Sequence, residues 1–381
     1  MTRRFLSLLL ALPLAASLCV KVSAEPEIAA PSAILMEAAT GTVLYEKNAH
    51  ERLRPASVTK IMTLLLVMEA LESGRISWDD TVTASAEAVK KGGSQIYLRE
   101  GEQMSMEDMV KSVVVASAND CAAALAEHVA GSESAFVEEM NRRAAELGMA
   151  DTHFVNCTGL DDLPEAAEHL TSAADIAVMS RELLKHDAIR KYTTIWMDSV
   201  RGGEFGLTNT NKLVRFYDGT TGLKTGFTSA AGYCVSATAR RDGMELIAVV
   251  MHCATSPERF EAAKALLNHG FATYALVQPQ PETPLAAVPV TLGTSDAVTP
   301  VPESDAPVLI EKSKRADLQM KTELCEEVEA PVAQGDRLGT LTVESGGEVL
   351  AEIPIVAGSD VARLTWWDAT VRLLRALCCA A

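Results

Sequence analysis

Ser57 and Lys60 stand three residues apart in Pro55-Ala-Ser-Val-Thr-Lys60, the only Ser-x-x-Lys of the chain. On a helix such residues share a face, so hydroxyl and amine come within hydrogen-bond reach. A lysine in apolar surroundings loses its proton more easily, because desolvation disfavours the ammonium form. Lys60 then qualifies as a general base for a nucleophilic Ser57. A helix N-terminus would also aim free N–H groups at the atom under attack. Two more triplets follow: Ser117-Ala118-Asn119 lies 60 residues on, and Lys224-Thr225-Gly226 lies 107 beyond that, after Gly219-Thr-Thr-Gly222.

These residues need rigid elements behind them. Ile61, Leu64, Leu65, Met68 and Leu71 recur at helical spacing while Met62, Leu66 and Val67 fill the other faces, which predicts a buried helix from about Ser57 to Ser73. Ser105 with Asp108 resembles a capping box, and Ser132 opens another helix that Gly148 follows. Strand signals surround this block at 33–36, 42–45, 232–238 and 244–251, and a helix is expected over Lys264 to Tyr274. The pattern predicts an α/β (α+β) sandwich over 25–276, with an antiparallel sheet and a helical insert.

Seven of the fifteen prolines fall between Pro279 and Pro307, and beyond them the hydrophobic period changes from 3.6 to 2. Residues 277–360 therefore read as a small all-β domain, a spacer or scaffold by default. In 361–381, Leu364, Trp367, Val371, Leu374 and Cys378 form one helical stripe opposite Asp368, Arg372 and Arg375. A net charge of +2 there suits a helix lying on a membrane surface. At the other end, Arg3-Arg4, an apolar run and Val22-Ser23-Ala24 read as a cleavable export signal over 1–24.

The whole chain has 34 basic and 51 acidic residues and a charge of −17, which repels phosphates and argues against nucleic acid. Loss of the signal leaves 31 basic residues and a charge of −20. Seven of the eight cysteines remain, an odd number that excludes a complete disulfide framework, and Cys121, Cys157, Cys234 and Cys253 read as buried thiols. The seven histidines form no metal-binding pattern, so no metal or other cofactor is expected.

Together the three motifs resemble those of the penicillin-recognising serine acyltransferases. Pro55-Ala-Ser-Val-Thr-Lys60, Ala116-Ser-Ala-Asn-Asp120, Asn156-Cys-Thr-Gly-Leu160 and Gly222-Leu-Lys-Thr-Gly-Phe-Thr228 are most similar to the low-molecular-mass penicillin-binding proteins of the serine D-alanyl-D-alanine carboxypeptidase type. The resemblance implies a β-lactamase-like fold and removal of the terminal D-Ala from peptidoglycan stem peptides on the outer face of the bacterial cytoplasmic membrane. It implies that β-lactams acylate Ser57. Lys60 would be the base, Ser117 and Lys224 would pass a proton to the leaving amine, and Asn119 would hold Lys60 and the substrate amide. The N–H groups of Ser57 and Phe227 would form the oxyanion hole. Thr225, Gly226, Phe227 and Arg259 would bind substrate, with Thr225 and Arg259 receiving its carboxylate.

Cys157-Thr158 replaces the more usual Pro-His, and the loop 161–169 is unusually acidic. A class A-like β-lactamase shares the three motifs but needs a Glu-x-x-x-Asn loop, whereas Glu165 leads to His169. A zinc carboxypeptidase could act on the same substrate, and a catalytically inactive wall scaffold could keep the same fold.

Overall fold

Short apolar runs, buried on both faces in β1 and β5, build a hairpin from Ser32–Glu37 (β1) and Val43–Lys47 (β2), and a meander from Thr220–Thr228 (β3), Gly232–Arg241 (β4) and Met244–Cys253 (β5). They form one antiparallel sheet in the order β2-β1-β5-β4-β3. The computed structural model describes residues 26–162 and 164–379, so the export signal expected over 1–24 lies outside the described residues. β3 escapes a periodicity reading because its nine residues include four threonines and two glycines. Pairing with β4 makes it a strand.

Successive side chains of a strand point to opposite faces. Ile247, Val249 and Met251 of β5 enter a core shared with the helical insert, and Leu246, Ala248 and Val250 enter a second core under Ser256–Thr273 (α6). The sheet is therefore covered on both sides. α6 begins eight residues before the predicted Lys264, because Thr255 caps it and Pro257 occupies its first turn. Its polar start, Ser-Pro-Glu-Arg, had no apolar rhythm to reveal it.

Within the insert, a 3-10 turn at Ala56–Thr59 runs into Lys60–Glu72 (α1). Every residue from Lys60 to Met68 is buried. Each large apolar side chain so buried contributes roughly 1.5–3 kcal/mol, which fixes α1 as a firm base for its N-terminal turn. Met106–Val115 (α2), Asn119–Ala130 (α3), Glu133–Glu146 (α4) and Ala173–Leu183 (α5) pack around it. Ser105, Ser132 and Ser172 cap α2, α4 and α5 by accepting the N–H of Asp108, Ala135 and Asp175.

Beyond α6, Tyr274–Val277 pairs with Val308–Glu311. A four-stranded sheet joins Pro300–Pro302, Glu348–Ala357, Arg337–Ser345 and Leu318–Leu324 in that order, with Gly346-Gly347 turning its central hairpin. The helix predicted from 361 begins later, at Trp366–Cys379 (α7). Val361 is buried and bridges to Val332, and Leu364 donates its N–H to Leu292. Leu364 thus belongs to the β region and leaves the helical stripe. Thr365 and Asp368 then cap α7 reciprocally.

Candidate active site

Ser57 lies in the 3-10 turn, after Ala56 in the left-handed region at φ +48°. A non-glycine residue there is strained by about 1–3 kcal/mol and persists only where its surroundings over-determine it. Gly159 is part of those surroundings: it has φ +81°, and a Cβ on it would come within 1.8 Å of the Ala56 carbonyl oxygen. Strain next to a reactive group fixes its direction.

Lys60 opens α1 and turns back, its Nζ 2.9 Å from Ser57 Oγ. The same amine donates to the Thr158 carbonyl at 2.8 Å. Asn156 shapes that carbonyl's loop by accepting the N–H groups of Thr158 and Gly159 at 3.1 and 2.7 Å. Lys60 is completely buried, and burial pushes its amine down to about 7 against the weaker opposing pull of Cys157 and Asp120. A substantial neutral fraction at neutral pH makes it a competent proton acceptor.

Ser117 also adopts a left-handed conformation, φ +62°, on the corner between α2 and α3. Its Oγ accepts from Lys224 Nζ at 2.9 Å, which gives the site a second serine-lysine pair. Lys224 comes from β3 and is held well below the usual lysine range by burial, then by the charges of Lys60 and Arg259. A buried amine near other positive charges favours its neutral form.

Lys60 makes no hydrogen bond to Asn119, contrary to expectation, and donates to the Thr158 carbonyl instead. Asn119 Nδ2 donates to Gly92 O at 2.7 Å, while Oδ1 is buried with no hydrogen-bond partner among the described residues. A buried acceptor left unmade costs roughly 1–3 kcal/mol, so this atom is suited to an incoming donor. Asp120, which carried no role in the sequence reading, accepts the N–H groups of Ile96 and Leu98 and ties that loop to α3.

β3 passes directly over the Ser57 turn. At Gly226 a Cβ would stand 2.5 Å from Pro55 O and 3.1 Å from Ser57 N, so only glycine permits this approach. Thr225 is buried and donates its hydroxyl to Thr210 Oγ1 at 2.7 Å. Phe227 is half exposed and stacks on Tyr233 at 4.2 Å.

Arg259, expected beside Thr225, makes no hydrogen bond to it. Reaching up from α6, it donates to the Gly226 and Cys234 carbonyls at 2.9 and 3.2 Å and packs against Phe260 and Tyr233. Its guanidinium is held by backbone carbonyls of β3 and β4 and not by the threonine hydroxyl.

The acidic loop is anchored by Asp161, which accepts from Thr228 Oγ1 at 2.6 Å and pairs with Arg54 at 3.7 Å. Glu165 is exposed on the 3-10 turn Pro164–Glu168. Cys121, Cys157, Cys234 and Cys253 are free and buried, as their apolar settings predicted. Thr158, Thr210 and Gly92 act through backbone or hydroxyl groups, and only the Asn156-Cys-Thr-Gly-Leu160 pattern pointed toward any of them.

The chain as a whole has counterparts among known proteins. A family model described as D-alanyl-D-alanine carboxypeptidase matches residues 19–255, and one described as penicillin-binding protein 5, C-terminal domain, matches 277–363. The D-alanyl-D-alanine carboxypeptidase DacF of Bacillus subtilis is 41% identical over 87% of this chain and 86% of its own. Penicillin-binding protein 5 of Haemophilus influenzae superposes with a TM-score of 0.78 at 30% identity, over 89% of this chain and 99% of its own. Penicillin-binding protein D2 of Listeria monocytogenes, in an ampicillin-bound form, gives 0.59 at 32% identity over 64% and 98%. With its catalytic fold matched over more than half its length, this chain belongs to the D-alanyl-D-alanine carboxypeptidase family of serine-type penicillin-binding enzymes.

Proposed function

We propose that Ser57 attacks the carbonyl of the terminal D-Ala-D-Ala bond of a peptidoglycan stem peptide. Lys60, neutral and 2.9 Å away, takes the hydroxyl proton. The amide C–N bond breaks, and a proton carried by the Ser117–Lys224 pair goes to the departing D-Ala amine. Water then hydrolyses the Ser57 ester. Asn119 Oδ1 accepts a substrate N–H, and the N–H groups of Ser57 and Phe227 receive the oxyanion; one such donor is worth roughly 3 kcal/mol. Thr225 binds the terminal carboxylate, while Arg259, tied to the Gly226 carbonyl, supports it with charge.

The observation that carries this reading is the buried Lys60 amine, held between Ser57 Oγ and the Thr158 carbonyl. A β-lactam, with its strained amide, acylates the same serine. The substrate places the enzyme outside the cytoplasmic membrane, after export directed by residues 1–24. On α7, Trp366, Trp367 and Leu374 are exposed and support contact with a membrane surface. No helix among the described residues is long and apolar enough to cross a membrane.

Purified protein is expected to release free D-Ala from a pentapeptide ending in D-Ala-D-Ala, and Ser57→Ala to release none. Equal release by both would refute the assignment. A penicillin adduct that persists on Ser57 supports the carboxypeptidase, whereas rapid turnover would favour a β-lactamase.

A further inference from the structure

We infer that His169 is a positioning residue for the oxyanion hole, acting through Thr59 and the Ala56 carbonyl on the direction of the Ser57 N–H. The inference rests on the reading in which that N–H receives the oxyanion. It concerns a histidine of the acidic loop that has no part in the proton transfers.

The hydrogen bonds run in one direction. Val155 N–H donates to His169 Nδ1 at 3.0 Å, so Nδ1 carries no proton. The neutral ring must then be protonated at Nε2, which lies 2.8 Å from Thr59 Oγ1 and donates to it. Thr59 uses its own proton on the Ala56 carbonyl, also at 2.8 Å. Each proton of this relay is thereby assigned to one bond.

The last acceptor gives the relay its purpose. Ala56 C=O and Ser57 N–H belong to one planar trans peptide, in which the two bonds point in opposite directions. Holding the oxygen therefore aims the N–H. Without that hold, the peptide follows Ala56, whose φ of +48° is unfavourable for a residue bearing a Cβ. Gly159 backs the same oxygen from the loop side.

His169 itself is buried, with its ring edge-on to Phe154 at 5.7 Å. Its backbone sits beside the two-way bridge between His153 and Leu170. Burial, with His153 adding to it and Asp161 opposing, pushes the imidazole down to about 4, so the ring stays neutral near pH 7. A protonated ring would set an N–H against that of Val155.

The test uses the full chain and four variants: Thr59→Val, His169→Leu, His169→Gln and the double variant Thr59→Val with His169→Leu. Acylation by a penicillin isotope-labelled at its β-lactam carbonyl is followed by stopped flow. The infrared band of the resulting ester carbonyl reports the hydrogen bonds it receives. Thr59→Val and His169→Leu should each lower the acylation rate by roughly ten- to hundred-fold with little change in KM, less than the 10²–10³ expected for removing a donor outright. Their ester band should move to higher frequency.

His169→Gln, whose amide can donate from the Nε2 position, should restore most of the rate and the low-frequency band. The double variant should cost no more than Thr59→Val alone, since both act through one chain of bonds. An unmoved band, with rate and melting temperature falling and KM rising, would reduce His169 to a structural residue and overturn the inference. Absence of any adduct on Ser57 in the unsubstituted chain would overturn the parent reading instead.

Discussion

Lys60 shows how burial gives an ordinary side chain the neutral form that its proposed role as base requires. Lowering an amine from 10.5 to about 7 reflects a preference for the neutral form on the order of 5 kcal/mol. The ammonium form has no lone pair to accept the serine proton, so activity must fall as pH drops through this value. We expect kcat/KM for D-Ala release to decline about tenfold per unit below roughly pH 7 and to level off above it. Lys60→Arg should abolish the limb and lower acylation by at least about a hundredfold, because guanidinium does not deprotonate in this range. A flat profile in the unsubstituted enzyme would assign the base elsewhere.

Among the elements, the decisive contact joins β3 to the turn before α1. Gly226 permits it, with room for no side chain against Pro55 O and Ser57 N. Gly226→Ala must push strand and turn apart. We expect a stability loss of roughly 1–3 kcal/mol in urea unfolding, as for other overpacked sites, and acylation of Ser57 slowed by more than about tenfold. Acylation at the unsubstituted rate would show that the turn holds its geometry without the strand.

The whole molecule separates an acidic catalytic body from a short terminal helix. Spanning the bilayer core takes roughly 20 apolar residues, and α7 has 14. Trp366 and Trp367 face solvent, while Arg372 ties the helix to Asp296 and the Thr294 carbonyl. Ending the chain after Thr365 keeps the Val361 and Leu364 backbone bonds to the β region. This truncation should abolish cosedimentation with anionic lipid vesicles while leaving kcat on a soluble peptide within about twofold. Retained cosedimentation would place membrane contact on another surface.

The sequence by itself determined the local pieces. Ser57 and Lys60 share a helical turn, their helix is apolar on every face, and β1, β2, β4 and β5 are β-rich runs bounded by turn signals. These properties depend on neighbours a few residues apart, where residue type and period decide. The convergence of motifs separated by 60 and 107 residues was legible only through family resemblance. Its physical cause is the sheet, which pairs β1 with β5 and lays β3 over the turn at Ser57. β3 itself was hidden by its threonines and glycines.

Tertiary structure alone decided which partner each group received. It gave Lys60 the Thr158 carbonyl instead of Asn119, left Asn119 Oδ1 unpaired among the described residues, and tied Arg259 to the Gly226 carbonyl. Hydrogen bonds to backbone carbonyls have no signature in residue type, since every residue carries one. Burial likewise belongs to the packed chain, and it is burial that lowers the Lys60 amine to about 7 and keeps His169 neutral.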